Sequence, residues 1–446
     1  MPDLQDLCTA AVAAARDGEA VEAYAQETRR TQIRVRDRQV ESLTSSETRG
    51  LGVRLIVDHR MGYAYAADPD PGSIPDLVES ARESAGFAEP DEANMLPELH
   101  PVDPIPGMVR EDQLSLDPDR KITVALDLER LAVSVDPEVQ RVESAGYGDA
   151  VSRVALASTR GGPISYMRTD AWAFASTLAD RDGETQTGFA YRLSRGLDVL
   201  AWEEAGEEAA RRAARLLGAV KPSTERLPVV LDPIAATAFI GVLSAALSAE
   251  SVLKGRSPLA GMVGTGIGSS QVTLVDDGLL PDGPALAPFD DEGVRSAQTS
   301  LIEEGTLRGF LHNTYTSIRS NTTSTGNAGR ASYRGVPGVS PSNLFLAPGD
   351  VDPEELLRSA GRAVYVQELS GLHSGANPVS GQFSVGATGL RVEDGALAAP
   401  LREMTIASTL LDVLRGVTAL GSDLRFPGGG LGAPTVLIGE MTVGGR

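Results

Sequence analysis

The chain has 446 residues, 41% apolar, 4% aromatic and 23% charged, with 48 glycines and 27 prolines; this is globular composition, long enough for two or three domains with cores of their own. A formal net charge of −21 repels a phosphate backbone and argues against nucleic-acid binding. The single cysteine, Cys8, excludes an intrachain disulfide and suits a reducing, cytoplasmic setting.

The first residues carry acids early and lack a basic stretch ahead of an apolar core, so residues 1–25 read as an amphipathic helix and not as a signal peptide. "TQIRVRDRQVESL" alternates polar residues with Ile33, Val35 and Val40, as a half-buried strand does. "TRGLGVRLIVDHRMGYAYAAD" reads as two strands around "DHRMG", and "SIPDLVESARESAGF" as a helix with Ser73 as N-cap. Residues 1–88 are thus an N-terminal α+β lobe. Six prolines between Pro90 and Pro118 mark residues 89–120 as a surface connector. A helix near 121–135, about four antiparallel strands between 139 and 194, and the helix "AWEEAGEEAARRAARLLGAV" complete the N-terminal domain over 121–222. On that last helix Glu207 precedes Arg211, and Glu208 precedes Arg212, by one turn in the favourable order.

"KPSTERLP" is the best domain boundary, leaving 223–446 as a C-terminal domain. "LPVVLD" is a strand, and "PIAATAFIGVLSAALSAESVLKG" follows with no charge between Asp232 and Glu250. Asp232 is a natural N-cap, Pro233 a natural first residue and Gly255 a stop, predicting one helix of roughly 30 Å, apolar and buried on nearly all sides. Its uncharged run is too short to span a membrane. Strands then predominate ("QVTLVDD", "TSLIEEGTLRGFL", "SNLFLAP", "RAVYVQEL", "GQFSVGATGLRVEDGALAAP", "PTVLIGEMTVGG"), with one more helix at "TIASTLLDVLRGV". Without strict strand–helix alternation, the expected class is α+β: an N-terminal domain with antiparallel strands, then a mostly antiparallel, β-rich domain around a central buried helix. No short internal repeat is visible.

Reactive groups are sparse. The four histidines, His59, His100, His312 and His373, include no pair at helical spacing, so H-E-x-x-H chemistry is absent. "GLHSG" is not a nucleophile elbow, Cys8 has no neighbouring histidine, and "GTGIGSS" lacks the dinucleotide spacing. Asp290, Asp291 and Glu292 read as a solvated acidic loop. His312, Asn327, Arg330, His373 and Asn377 are the candidate peptide-binding or interface residues; the last four lie in the glycine-rich stretches "STGNAGRASY" and "HSGANPVSG", where a backbone can approach a ligand closely. Turn chemistry is the alternative for them.

Taken with "LDPIAATAFIGVLSAALSAESVLKGRSPLAG", "PSNLFLAPG", "MTIASTLLDVL" and "APTVLIGEMTVGG", those stretches resemble the TldD/PmbA family, also called the modulator-of-DNA-gyrase or peptidase U62 family. The resemblance is dense from about residue 226 onward. It implies two branches: TldD-like metalloproteases with HExxxH on the central helix and a later cysteine ligand, and a PmbA/TldE branch that lacks the motif and pairs with TldD. Here the motif falls on Gly241, Val242 and Ala246, none with a metal-binding side chain, or one residue earlier. The expectation is a non-metal subunit with no cofactor of its own. Zinc would sit in a TldD-like metalloprotease partner, and unfolded peptides and small proteins would be the substrates. A self-sufficient homodimeric peptidase with an unrecognised site, or a regulatory binding protein acting on gyrase, remain the alternatives.

Overall fold

The computed structural model describes residues 3–445, apart from the side chain of His373. Its first element, α1 (Leu4–Ala13), is capped by the Asp3 carboxylate, which accepts from the Gln5 N–H at 2.8 Å. Three antiparallel strands follow: β1 (Ala20–Arg36), β2 (Gln39–Val57) and β3 (Arg60–Ala67); then comes α2 (Ile74–Gly86). Ser73 makes no side-chain cap. Asp70 instead caps a short 3-10 turn, Pro71–Ser73, that leads into the helix.

After the connector and a one-turn helix, α3 (Glu111–Leu114), the same order recurs: α4 (Pro118–Ala132), β4 (Val139–Ser158), β5 (Gly161–Arg181), β6 (Glu184–Ser194) and α5 (Trp202–Ala214). Three long strands, not four, fill this region, because bulges near Val139 and Val142 bend one continuous β4 without ending it. The two halves join through an antiparallel β1–β4 ladder into one six-stranded sheet, β3-β2-β1-β4-β5-β6. A repeat of this size, with little sequence in common, has no short period to find. Its trace is a matched pair of glycines: Gly62 on β3 lies against α2 and Gly188 on β6 against α5, each with no room for a side chain.

The C-terminal domain starts at β7 (Glu225–Leu231) and α6 (Pro233–Ala246). The predicted single helix to Gly255 is broken. Ser248 is extended, and α7 (Ala249–Leu253) starts after it. The cause is tertiary: the Leu311 N–H donates to the Leu247 carbonyl at 2.9 Å, and the Ala249 N–H donates to the Leu311 carbonyl at 3.0 Å, so a crossing segment takes the bonds that a continuous helix needs. Nor is α6 buried all round: Ala245 is exposed and Gly241 and Val242 are half-buried.

Next come β8 (Leu274–Asp277), β9 (Gln298–Glu303), β10 (Thr306–Leu307), α8 (Thr314–Arg319), the paired bridges β11 (Ala328–Gly329) and β12 (Gly338–Val339), and β13 (Leu344–Leu346). They are followed by β14 (Ala363–Ser370), β15 (Gln382–Glu393), β16 (Ala396–Thr409), β17 (Val417–Leu420), β18 (Leu431–Gly432) and β19 (Val436–Gly444). Strands β16, β15, β14, β7 and β19 are hydrogen-bonded in that order, and β19 pairs back to β16 at Ile406–Val443, closing a barrel. Thr405–Thr409, expected to begin a helix, belongs to that closing strand. A second sheet, β10-β9-β8-β13-β18, lies across α6 from the barrel, and Ile240 and Leu243 of α6 belong to a core shared by both. The architecture is α+β with mainly antiparallel strands. No helix among the described residues is long and apolar enough to cross a membrane.

Candidate functional site

The face of the sheet opposite the helices meets the C-terminal domain, and a buried ion network joins them. Arg54 on β2 donates to Glu22 of β1 at 2.6 Å and to Glu292 at 2.8 Å, with all three side chains almost fully buried. Glu292 also accepts from the Thr314 N–H at 2.9 Å, at the start of α8. Arg330 reaches the same Glu22, bonds the Asp291 and Gly335 carbonyls, and lies over the Tyr24 ring at 4.9 Å. The Asp290–Glu292 loop is therefore buried and paired, and not solvated. Asp290 accepts from the N–H groups of Glu292, Val294 and Ala328, while burial and then the Glu292 charge push its carboxyl above the usual range.

Asn327 is also buried. It donates to Asp276 at 2.6 Å and accepts from the Thr325 hydroxyl at 2.6 Å, and so fixes a loop of the second sheet. Asn377 turns its own loop: its side chain accepts from the N–H groups of Val379 and Ser380. Asn327 and Arg330 thus sit in interior networks, and Asn377 shares no partner with them. His373 lies in a one-turn helix, Leu372–Gly375, but its side chain falls outside the described residues.

His312 adjoins the break between α6 and α7. Its ring is mostly buried, and Nδ1 has no hydrogen-bond partner among the described residues. The next residue, Asn313, caps α8 in a reciprocal box with Thr316. Burial holds the imidazole below its ordinary range, so the folded chain keeps it neutral while the unfolded chain protonates near pH 6.5. Its contribution is full above that pH and is lost as pH falls toward the folded value. Wild type is therefore expected to lose urea stability relative to His312→Gln between about pH 7.5 and about pH 5.5. A difference that stays constant over that interval contradicts a buried neutral ring.

Above the ion network the two domains leave an open cleft of about 950 Å³. Ile56, Met61 and Met95 form the wall from the first domain and connector; Leu253, Val336 and Asn313 form the other. Met95, Leu253 and Val336 are exposed apolar side chains, which are informative when gathered on one concave surface. The connector is strapped across one end: Asp91 accepts from the Tyr315 hydroxyl at 2.9 Å and from Arg319 at 2.8 Å. Glu22, Arg54 and Asp91 carried no expectation from the sequence, and Glu292 was expected in a solvated loop. The available signal was Arg54, a lone charge within the apolar run "LGVRLIV".

Cys8 is buried beneath the sheet among Leu4, Leu7 and Ala155, and desolvation pushes its thiol far up, leaving it unreactive. A long antiparallel sheet docked through buried ion pairs onto a barrel-and-helix domain, with an open cleft between them, defines a two-domain α+β protein. Family models for PmbA/TldA metallopeptidase domain 1, central domain and C-terminal domain match residues 21–85, 111–217 and 224–445. The chain belongs to the PmbA/TldD metallopeptidase family.

It is 27% identical to the metalloprotease PmbA of Escherichia coli O157:H7 over 92% of this chain and 88% of that protein. A solved structure from Thermotoga maritima, named as a candidate modulator of a DNA gyrase, superposes with a TM-score of 0.89 at 28% identity and covers 98% of each chain. TldE from Thermococcus kodakarensis shares the fold, with a TM-score of 0.88 at 23% identity over 96% of this chain and 97% of that one. Between Pro233 and Ala246, α6 carries no His, Cys, Asp or Glu side chain. Gly241, Val242 and Ala246 offer hydrogen, isopropyl and methyl groups, and Ala246 faces the core. Among the described residues, no three His, Cys, Asp or Glu side chains converge as a metal site requires.

Proposed function

We propose that this chain is a PmbA/TldE-type subunit of a two-chain, cytoplasmic metallopeptidase, without a metal site of its own. What supports this reading is the family scaffold with no metal ligand on its central helix: by the resemblance the metal motif would fall on α6 at Gly241, Val242 and Ala246, none of which has a metal-binding side chain. A TldD-like partner bearing HExxxH would supply zinc, which activates water for amide hydrolysis. This chain contributes cleft wall and rigidity. The cleft's exposed Met95, Leu253 and Val336 suit the apolar side chains of an extended, unfolded peptide.

The test is direct. The purified chain is assayed on an unfolded protein substrate alone, with a TldD-like chain, and with that chain mutated in HExxxH. Cleavage is expected only from the intact pair. Equal cleavage by this chain alone overturns the assignment and supports a self-sufficient peptidase.

A further inference from the structure

The helix-covered face of the N-terminal sheet is apolar at both ends and charged between them. Along β1, Val21, Ala23 and Ala25 pack with α1 and α2, while Ile33 and Val35 pack with α4. Glu27 and Arg29 lie between these groups and, by the two-residue period, on the same face. Arg49 on β2 and Arg153 on β4 share that face and the same opening. The result is a groove of about 890 Å³ bounded by the start of α1 at Asp3–Gln5 and by the connector at Asp103–Met108.

The charges are layered. Glu27 is nearly buried, and Arg29, Arg49 and Arg153 approach its carboxylate at 3.7, 3.9 and 3.8 Å, all beyond hydrogen-bond length. The Arg29 and Arg153 side chains are 60% and 52% exposed, so the cations form the accessible layer above the anion. Glu47 faces Arg29 at 3.4 Å. Of the other acids lining the groove, Asp3 is engaged in capping α1 and Asp103 stands on the connector. Arg29 and Arg153 stand near the Glu27 carboxylate without bonding it directly, so their guanidinium donors are open to the groove.

We propose that this groove is a subsite for a carboxylate of an extended peptide, taken by the guanidinium groups of Arg29 and Arg153 in the bidentate geometry that arginine offers to carboxylates. The proposal rests on the peptide-handling reading above and adds the chemistry of one part of the ligand. A peptide's carboxylate comes from an acidic side chain or from its C-terminus, and three probes separate the two: acetyl-Ala-Glu-Ala-Glu-Ala-amide, its Gln counterpart, and the Gln counterpart with a free C-terminus.

Each probe is titrated calorimetrically into the full chain at low and at physiological salt. At least one carboxylate-bearing probe is expected to bind more tightly than the neutral one. The Arg29→Gln/Arg153→Gln double variant should weaken that binding about tenfold or more. Arg34→Gln, an exposed position on the opposite face of the same strand, should leave it unchanged. Equal affinity for charged and neutral probes, equal affinity in wild type and double variant, or no saturable binding of any probe overturns the proposal. Binding is measured on this chain alone, so its failure leaves the two-chain assignment standing, and failure of that assignment leaves this result readable.

Discussion

Replacing Arg54 by alanine is expected to cost about 3–5 kcal/mol of stability, because it leaves the buried Glu292 carboxylate without a cation. Glu22 and Glu292 are 1% exposed, and both accept from Arg54. Neither can move to water without separating the domains. Arg330 would still hold Glu22, but Glu292 would keep only the Thr314 N–H. The urea midpoint should fall sharply, and limited proteolysis should begin near the connector, since the Arg54–Glu292 pair bridges the two domains. The double variant Arg54→Met/Glu292→Gln should recover much of the loss, because Glu22 keeps Arg330 and no buried carboxylate is left without a cation. A single Arg54→Ala variant as stable as wild type would show that the network carries no part of domain docking.

Gly62→Val and Gly188→Val should each cost about 3 kcal/mol, the upper range for overpacking, because the added carbon meets helix backbone and not a movable side chain. At Gly62 it would stand 2.0 Å from the Ala81 carbonyl oxygen and 2.4 Å from the Ala85 nitrogen. At Gly188 the distances are 2.2 Å to the Ala209 oxygen and 2.4 Å to the Ala213 nitrogen. In each half the third strand would push its helix off the sheet. Hydrogen-exchange protection should fall in α2 for the first variant and in α5 for the second. Gly86→Ala, at the end of α2 with open space around it, should change stability little. Similar effects at all three positions would refute the close-packing account.

Strands β2 and β3 were legible because their signal is local: the Asp58–His59 turn separates them where the sequence changes character. The helix expected over residues 1–25 instead ends at Ala13, and β1 begins at Ala20, because Val21, Ala23 and Ala25 alternate inward against α1 and α2. The cap at Asp232 was legible for the same reason: its carboxylate accepts from Ile234, two residues away. The family resemblance was also written in residue identity alone.

What only the tertiary structure decided depends on residues far apart in the chain. Asp290–Glu292 looks like a solvated loop until Arg54, more than two hundred residues earlier, is placed against it. The 233–255 segment has the composition of one helix, and Leu311 breaks it by competing for backbone bonds at Leu247 and Ala249. The charged band of Glu27, Arg29 and Arg153 becomes a groove only when the start of α1 and the connector stand at its sides. Local propensity and capping are short-range effects and survive in a linear reading. Burial of charge and competition for backbone hydrogen bonds depend on what lies across a contact, and chain order alone does not specify that.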